Sequence, residues 1–170
     1  MKFFLICLLS FILSAQVYAE FPLHAKYFTK GIEIISPDGQ KSSYAKIEDV
    51  PEIQYSSKII AYGMVILSFY GVDIILKNRQ GIFVAKSPIT QEFVFSKVEN
   101  SNNGAIALSF DKNIKAELSP EAKIAFKFED SILTMNVLMG TVPMVINGDE
   151  IELSAGEFFT YEVKGDKNAF

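Results

Sequence analysis

The residues that could do chemistry are few, and four of them crowd one stretch: Asp149, Glu150, Glu152 and Glu157. Glu150 and Glu152 stand two apart, so on an extended strand they share one face. Paired carboxylates run glycoside hydrolysis when one is an acid and the other a base or nucleophile. That pairing is assembled across strands, and no Trp is present to form a sugar platform. A calcium loop needs several oxygen ligands around a Gly turn. Asn147-Gly148-Asp149 is too short for one and reads as a turn. His24 is the only histidine. A Ser-His-Asp or Cys-His arrangement needs that histidine held between nucleophile and carboxylate, and zinc sites need more His and Cys than this chain has. The glycines stand singly, with no Gly-rich phosphate loop. These residues predict no catalytic set, no metal site and no cofactor.

The aromatics, 15 Phe and 7 Tyr, are the other chemically distinctive group. Phe110, Phe126 and Phe128 fall on apolar faces of alternating runs and read as core. Adjacent pairs such as Phe69-Tyr70 and Phe158-Phe159 must send one ring to each face of a strand. One member of each pair is then a candidate for an exposed contact patch.

The start of the chain predicts where this happens. Met1-Lys2 is a short cationic lead, residues 3–15 are apolar except for serines, and Val17-Tyr18-Ala19 sets small or aliphatic residues before a cut at Glu20. That is the layout of a secretory signal peptide, with an apolar core too short to span a bilayer. Cys7 lies too early, with most of the apolar run after it, to be a lipidation site. The expected mature chain is periplasmic or secreted, has no cysteine and forms no disulfide. Loss of Lys2 takes the net charge from −4 to −5. The charges are scattered, with no basic face for nucleic acid. Residues 59–76 are almost wholly apolar, but Asp73 interrupts them and Gly63 and Gly71 punctuate β-branched and aromatic residues. Two buried strands joined at glycine are expected there, and no membrane span.

The rest of the mature chain alternates with period two. Ile124, Phe126 and Phe128 interleave with Lys123, Ala125, Lys127 and Glu129; Leu133, Met135 and Val137 interleave with Thr134 and Asn136. The runs around 32–34, 82–84, 93–95, 106–110, 151–153 and 159–163 do the same. Pro37-Asp38-Gly39, the polar loop 100–104, Asp111-Lys112-Asn113, Ser119-Pro120, Glu129-Asp130 and Asn147-Gly148 separate them. Asn-Gly is the strongest short hairpin signal of the set. The expected fold is all-β: an antiparallel sandwich or jelly roll, or alternatively a short β-solenoid, preceded by a signal-peptide helix. Residues 57–86 and 121–162 echo each other weakly in their order of strands and glycines.

The steps Leu138-Met139-Gly140-Thr141-Val142 and Ile151-Glu152-Leu153-Ser154-Ala155-Gly156-Glu157 follow alternating strands in a way that resembles the FecR-like domain of exported bacterial proteins. Upstream, Gly31 to Ile34, Pro37-Asp38-Gly39, Ser57-Lys58-Ile59, Gly63 and Gly81-Ile82 fit as well, so the resemblance spans about residues 30–163. It implies an all-β fold with a binding or signalling role, whose partner is another envelope protein or the cell surface. The best-known members carry a cytoplasmic arm and control a sigma factor; a cleavable signal argues for an exported stand-alone version. The expected organisation is a signal peptide over 1–19, a flexible segment over 20–30, a single all-β FecR-like domain over 31–163 and a tail over 164–170. Phe170 evokes outer-membrane barrels, but Lys164, Asp166 and Asn168 occupy positions that would have to face lipid. A lipid-handling jelly roll with a Phe-rich groove and a carboxylate hydrolase are the alternative functions.

Overall fold

Period-two alternation becomes two stacked antiparallel sheets because each run has one apolar face to bury and one polar face to wet. The computed structural model describes residues 23–99 and 101–163. The expected signal-peptide helix and the tail at 164–170 lie outside them. The strands in chain order are β1 (Leu23–Phe28), β2 (Ile32–Ile35), β3 (Lys41–Tyr44), β4 (Ser57–Ala61), β5 (Val65–Phe69), β6 (Val72–Leu76), β7 (Gly81–Lys86), β8 (Phe93–Lys97), β9 (Ile106–Ser109), β10 (Ile114–Leu118), β11 (Lys123–Glu129), β12 (Ile132–Met139), β13 (Thr141–Ile146), β14 (Asp149–Ser154) and β15 (Phe158–Glu162). A short 3-10 turn covers Ile47–Asp49. No helix among the described residues is long and apolar enough to cross a membrane.

One sheet runs β1-β5-β6-β9-β10-β13-β14 and the other β15-β12-β11-β8-β7-β4-β2-β3. Both orders follow the chain after β4, so the sandwich grows from one end to the other. A regular unit underlies this growth: a strand in the second sheet, a hairpin in the first, and a strand back in the second. β4–β7, β8–β11 and β12–β15 are three such units. The echo seen at 57–86 is the first of them. The stretch 121–162 contains the third but starts one strand early, and the middle unit had left no visible signature. Every pairing is antiparallel, which settles the sandwich over the solenoid.

The unit sorts its turns. Tight reversals gather on one rim. Tyr70-Gly71 and Asn147-Gly148 both have positive φ, at 45° and 79° and at 53° and 96°, the backbone of a type I′ hairpin turn. Asp130-Ser131 adopts it without glycine, at 50° and 65°. Crossings between the sheets gather on the other rim. At the β12–β13 crossing Gly140 has φ +74°, and a Cβ there would stand 3.0 Å from the Ala122 Cα. Only glycine suits both demands. At the β6–β7 crossing, Gln80 is buried and fully used. It accepts from the Lys77 amide (2.7 Å) through Oε1, and its Nε2 donates to the Gly104 (2.8 Å) and Ala105 (3.0 Å) carbonyls. That pins the first unit to the second.

Phe69, Phe95 and Phe126 are completely buried between the sheets, with Ile, Leu and Val from every unit. Burying each such side chain contributes about 1.5–3 kcal/mol. The interior is filled side chain against side chain: Phe95 meets Phe69 edge-on at 4.9 Å and Phe126 at 5.4 Å.

Four expectations change. Residues 23–28 are not a flexible lead-in: Leu23 is buried, and β1 pairs with β5 from Leu23↔Phe69 to Phe28↔Val65. Residues 59–76 make three strands rather than two, because the crossing at Gly63 and the hairpin at Tyr70-Gly71 both fall inside them. Phe128 is only partly buried, since β11 carries it to the rim. Leu153, which the alternation over 151–153 puts on an apolar face and so in the core, is also only partly buried, because β14 is the edge of its sheet and has a neighbour on one side alone.

Candidate binding groove

The hairpin rim holds a concavity of about 930 Å³. The segment before β4 and the first two units build it. Residues 52–55 run along one wall, the Tyr70 turn forms another, and the β7–β8 loop and the end of β11 close the rest. Buried Ile53 forms part of the lining. Its character is aromatic: Tyr55, Tyr70, Phe93 and Phe128 line it. Tyr70 stacks on Phe128 with ring centres 4.1 Å apart and planes 17° from parallel. The tight turn holds Tyr70 there. Phe93 continues the row and meets the core ring Phe69 edge-on at 5.3 Å, so the groove rings are anchored on the packed interior.

Charge is present but balanced. The Lys86 Nζ lies 5.5 Å from the centre of the Phe93 ring, in cation–π range. Lys127 pairs with Glu129 at 2.9 Å. Glu52 also lines the groove. Burial holds the Tyr70 phenol above its ordinary pKa, so it stays a neutral hydrogen-bonding group. The β7–β8 loop forms a firm lip. The Ser87 amide donates to the Glu92 carbonyl (2.8 Å), the Gln91 amide to the Ser87 carbonyl (3.1 Å) and Asn136 Nδ2 to Glu92 Oε1 (3.0 Å). At its tip Ile89 is 90% exposed, next to the groove-lining Thr90.

The carboxylates singled out by spacing lie elsewhere. Asp149, Glu150 and Glu152 are exposed on β14. Glu150 stands opposite Val145 and Glu152 opposite Pro143, not opposite another carboxylate. Glu157 shapes a turn: its Oε2 accepts from the Ser154 amide at 2.6 Å. Among the described residues, no group of His, Cys, Asp and Glu is gathered to hold a metal ion.

His24 has an unexpected setting. On β1 it is opposite Ser68, which is opposite Asp73 on β6. The order is wrong for a triad, because serine sits between histidine and carboxylate. Two strand spacings, about 9.6 Å, separate His24 from Asp73. The Asp73 carboxylate is engaged by Lys26 Nζ at 3.0 and 3.1 Å.

Of the paired aromatics, Phe158 is 64% exposed and Phe159 half-buried, one ring to each face as expected. Phe69 is buried, whereas Tyr70 leaves the strand for the turn and enters the groove. The groove itself was not visible in sequence. Its rings come from positions far apart in the chain, and the only local signal was Tyr70 before a turn glycine. The chain matches no family model, no curated protein and no solved structure.

Proposed function

We propose that this chain is an exported, non-catalytic binding module of the bacterial envelope, FecR-like in kind, that docks a segment of another envelope protein in the aromatic groove. The carrying observation is the groove: four rings, three of them (Tyr70, Phe93 and Phe128) packed against the core, balanced charges, and an exposed isoleucine on its lip. Interfaces draw their energy from such aromatic anchors in preformed pockets, with polar groups at the edge. Paired charges suit a partner segment that is apolar or aromatic at its centre. The filled interior supports this reading over lipid carriage between the sheets, which needs an open apolar space. The scattered carboxylates support it over hydrolysis, which needs two of them facing one bond.

Site-specific photo-cross-linking in the producing cells tests it. A photoreactive residue at Tyr55, in the groove, is expected to give a discrete adduct with one envelope protein. The same residue at Glu121, on the opposite rim, is expected to give none. Equal labelling from both positions, or none from Tyr55, refutes the groove as the docking site.

A further inference from the structure

The two ends of the sandwich are finished differently. At the N-terminal end, residues 45–56 run from one rim to the other, bury Ile53 and place the 3-10 turn beside β1. The C-terminal end, formed by β14 and β15, has no such strap among the described residues. Ile151 is 40% exposed there, and the inward-facing Phe159, Tyr161 and Val163 are only partly covered.

Exposed edge strands invite pairing, and proteins blunt them with charge, irregularity or shortness. Three of the four edges here are blunted. β1 is bulged between Ala25 and Tyr27 and carries Lys26. β3 is four residues long and begins with Lys41. β14 carries three carboxylates in six residues. β15 reads Phe-Phe-Thr-Tyr-Glu, with one charge at its far end. Its hydrogen-bonding groups without a partner strand among the described residues are identifiable. The Val137 amide donates to the Glu157 carbonyl (3.0 Å) and the Val163 amide to the Ser131 carbonyl (2.8 Å). Alternation then turns Phe159 and Tyr161 toward β12 and leaves Phe158, Thr160 and Glu162 with outward N–H and C=O groups.

Charge selects the partner. Residues 128–163 contain seven carboxylates (Glu129, Asp130, Asp149, Glu150, Glu152, Glu157 and Glu162) and no Lys or Arg. The nearest cation in sequence before them, Lys127, is already held by Glu129. Glu162 stands on the edge strand itself, opposite Ile132 of β12. A second copy joining through β15 would bring two such acidic units together.

We propose that β15 is a strand-addition site for an extended segment of another protein in which apolar and basic residues alternate. On such a strand the apolar side chains face inward and cover Phe159 and Tyr161. The basic ones lie on the outer face beside Glu162, and the backbone completes the hydrogen bonds of Phe158, Thr160 and Glu162. The site is separate from the aromatic groove and does not depend on it.

The probe is a labelled synthetic peptide of alternating Val and Lys, with its Val/Glu counterpart as comparison. Binding to the mature protein is read by anisotropy and by amide hydrogen exchange. The Val/Lys peptide is expected to bind, more weakly at high salt, and to slow exchange at Phe158, Thr160 and Glu162 but not along β3. Thr160→Pro removes an outward donor without touching the β12 ladder, and it should weaken binding about tenfold or more. Phe158→Lys, at an exposed position that folding does not need, should weaken it similarly by charge repulsion. Equal binding of the Val/Glu peptide, protection at β3 or β1 instead, wild-type affinity in both variants, or concentration-dependent protection of β15 without peptide would each overturn the proposal.

Discussion

Phe126→Ala is the sharpest test of how the strands are registered. The ring is completely buried and meets Phe95 edge-on at 5.4 Å, Phe69 at 5.5 Å and Phe110 at 6.2 Å. Truncation removes its transfer free energy and leaves a cavity among rings that are themselves held by neighbours, so relaxation is limited. The expected loss is about 3–5 kcal/mol, against a total stability on the order of 5–15 kcal/mol for a domain of this kind. With a urea m-value of about 2 kcal/mol/M, the midpoint should fall by roughly 1.5–2.5 M. Lys127 is the control, one residue along and on the opposite face. Its side chain is 45% exposed and its one ion pair is to an exposed Glu129. Lys127→Ala should cost under about 1 kcal/mol. Urea unfolding followed by far-ultraviolet circular dichroism reads both variants. Equal shifts, or a larger one for Lys127→Ala, would mean that β11 is out of register by one residue, which would invert every face assignment on it.

Gly140→Ala combines a positive φ with a collision against the Ala122 backbone, and should cost about 1–3 kcal/mol. Gly39→Ala has a positive φ but open space around it, so its melting temperature should fall less. The Tyr62, Tyr70 and Tyr161 phenols are all raised, Tyr62 chiefly by its hydrogen bond to Glu33 and the other two chiefly by burial. Stability from these groups is full below the unfolded phenol pKa near 10 and is lost as pH rises through the folded values. Absorbance titration should therefore show phenols ionising late, and Tyr70→Phe should both remove one of them and lessen the alkaline loss of stability. Protein recovered from its native host should begin at Glu20 by intact mass; retention of residues 1–19 would contradict export by a cleaved signal.

The strands were legible because they obey one rule, an apolar residue at every second position, from Ile32-Glu33-Ile34 to Phe159-Thr160-Tyr161. Asn147-Gly148 announced its hairpin because type I′ geometry favours those two residues. Asp130-Ser131 makes the same turn and was seen only as a reversal, since nothing in those residue types demands positive φ. The crossing at Gly63 was hidden in apolar sequence: its neighbours are as hydrophobic as the strands they join. Edge position was equally invisible. Leu153 looks like core by alternation, and only the sheet order shows that β14 has one neighbour. The groove was least legible, because Tyr55, Tyr70, Phe93 and Phe128 converge through the stacking of units and through no local pattern. The carboxylates at 149–157 drew notice by their spacing, yet adjacency along one strand does not bring two groups across a cleft.

The groove is the centre of the account, and one affinity comparison tests it most directly. The envelope partner captured from Tyr55 is titrated against the wild-type chain, against Tyr55→Ala, and against Glu150→Gln combined with Glu152→Gln. Loss of an aromatic anchor is expected to weaken binding at least about tenfold, equivalent to about 1.4 kcal/mol, while the carboxylate variant stays within a few-fold of wild type. Unchanged affinity in Tyr55→Ala together with a collapse in the carboxylate variant would contradict the account and place the working surface on β14.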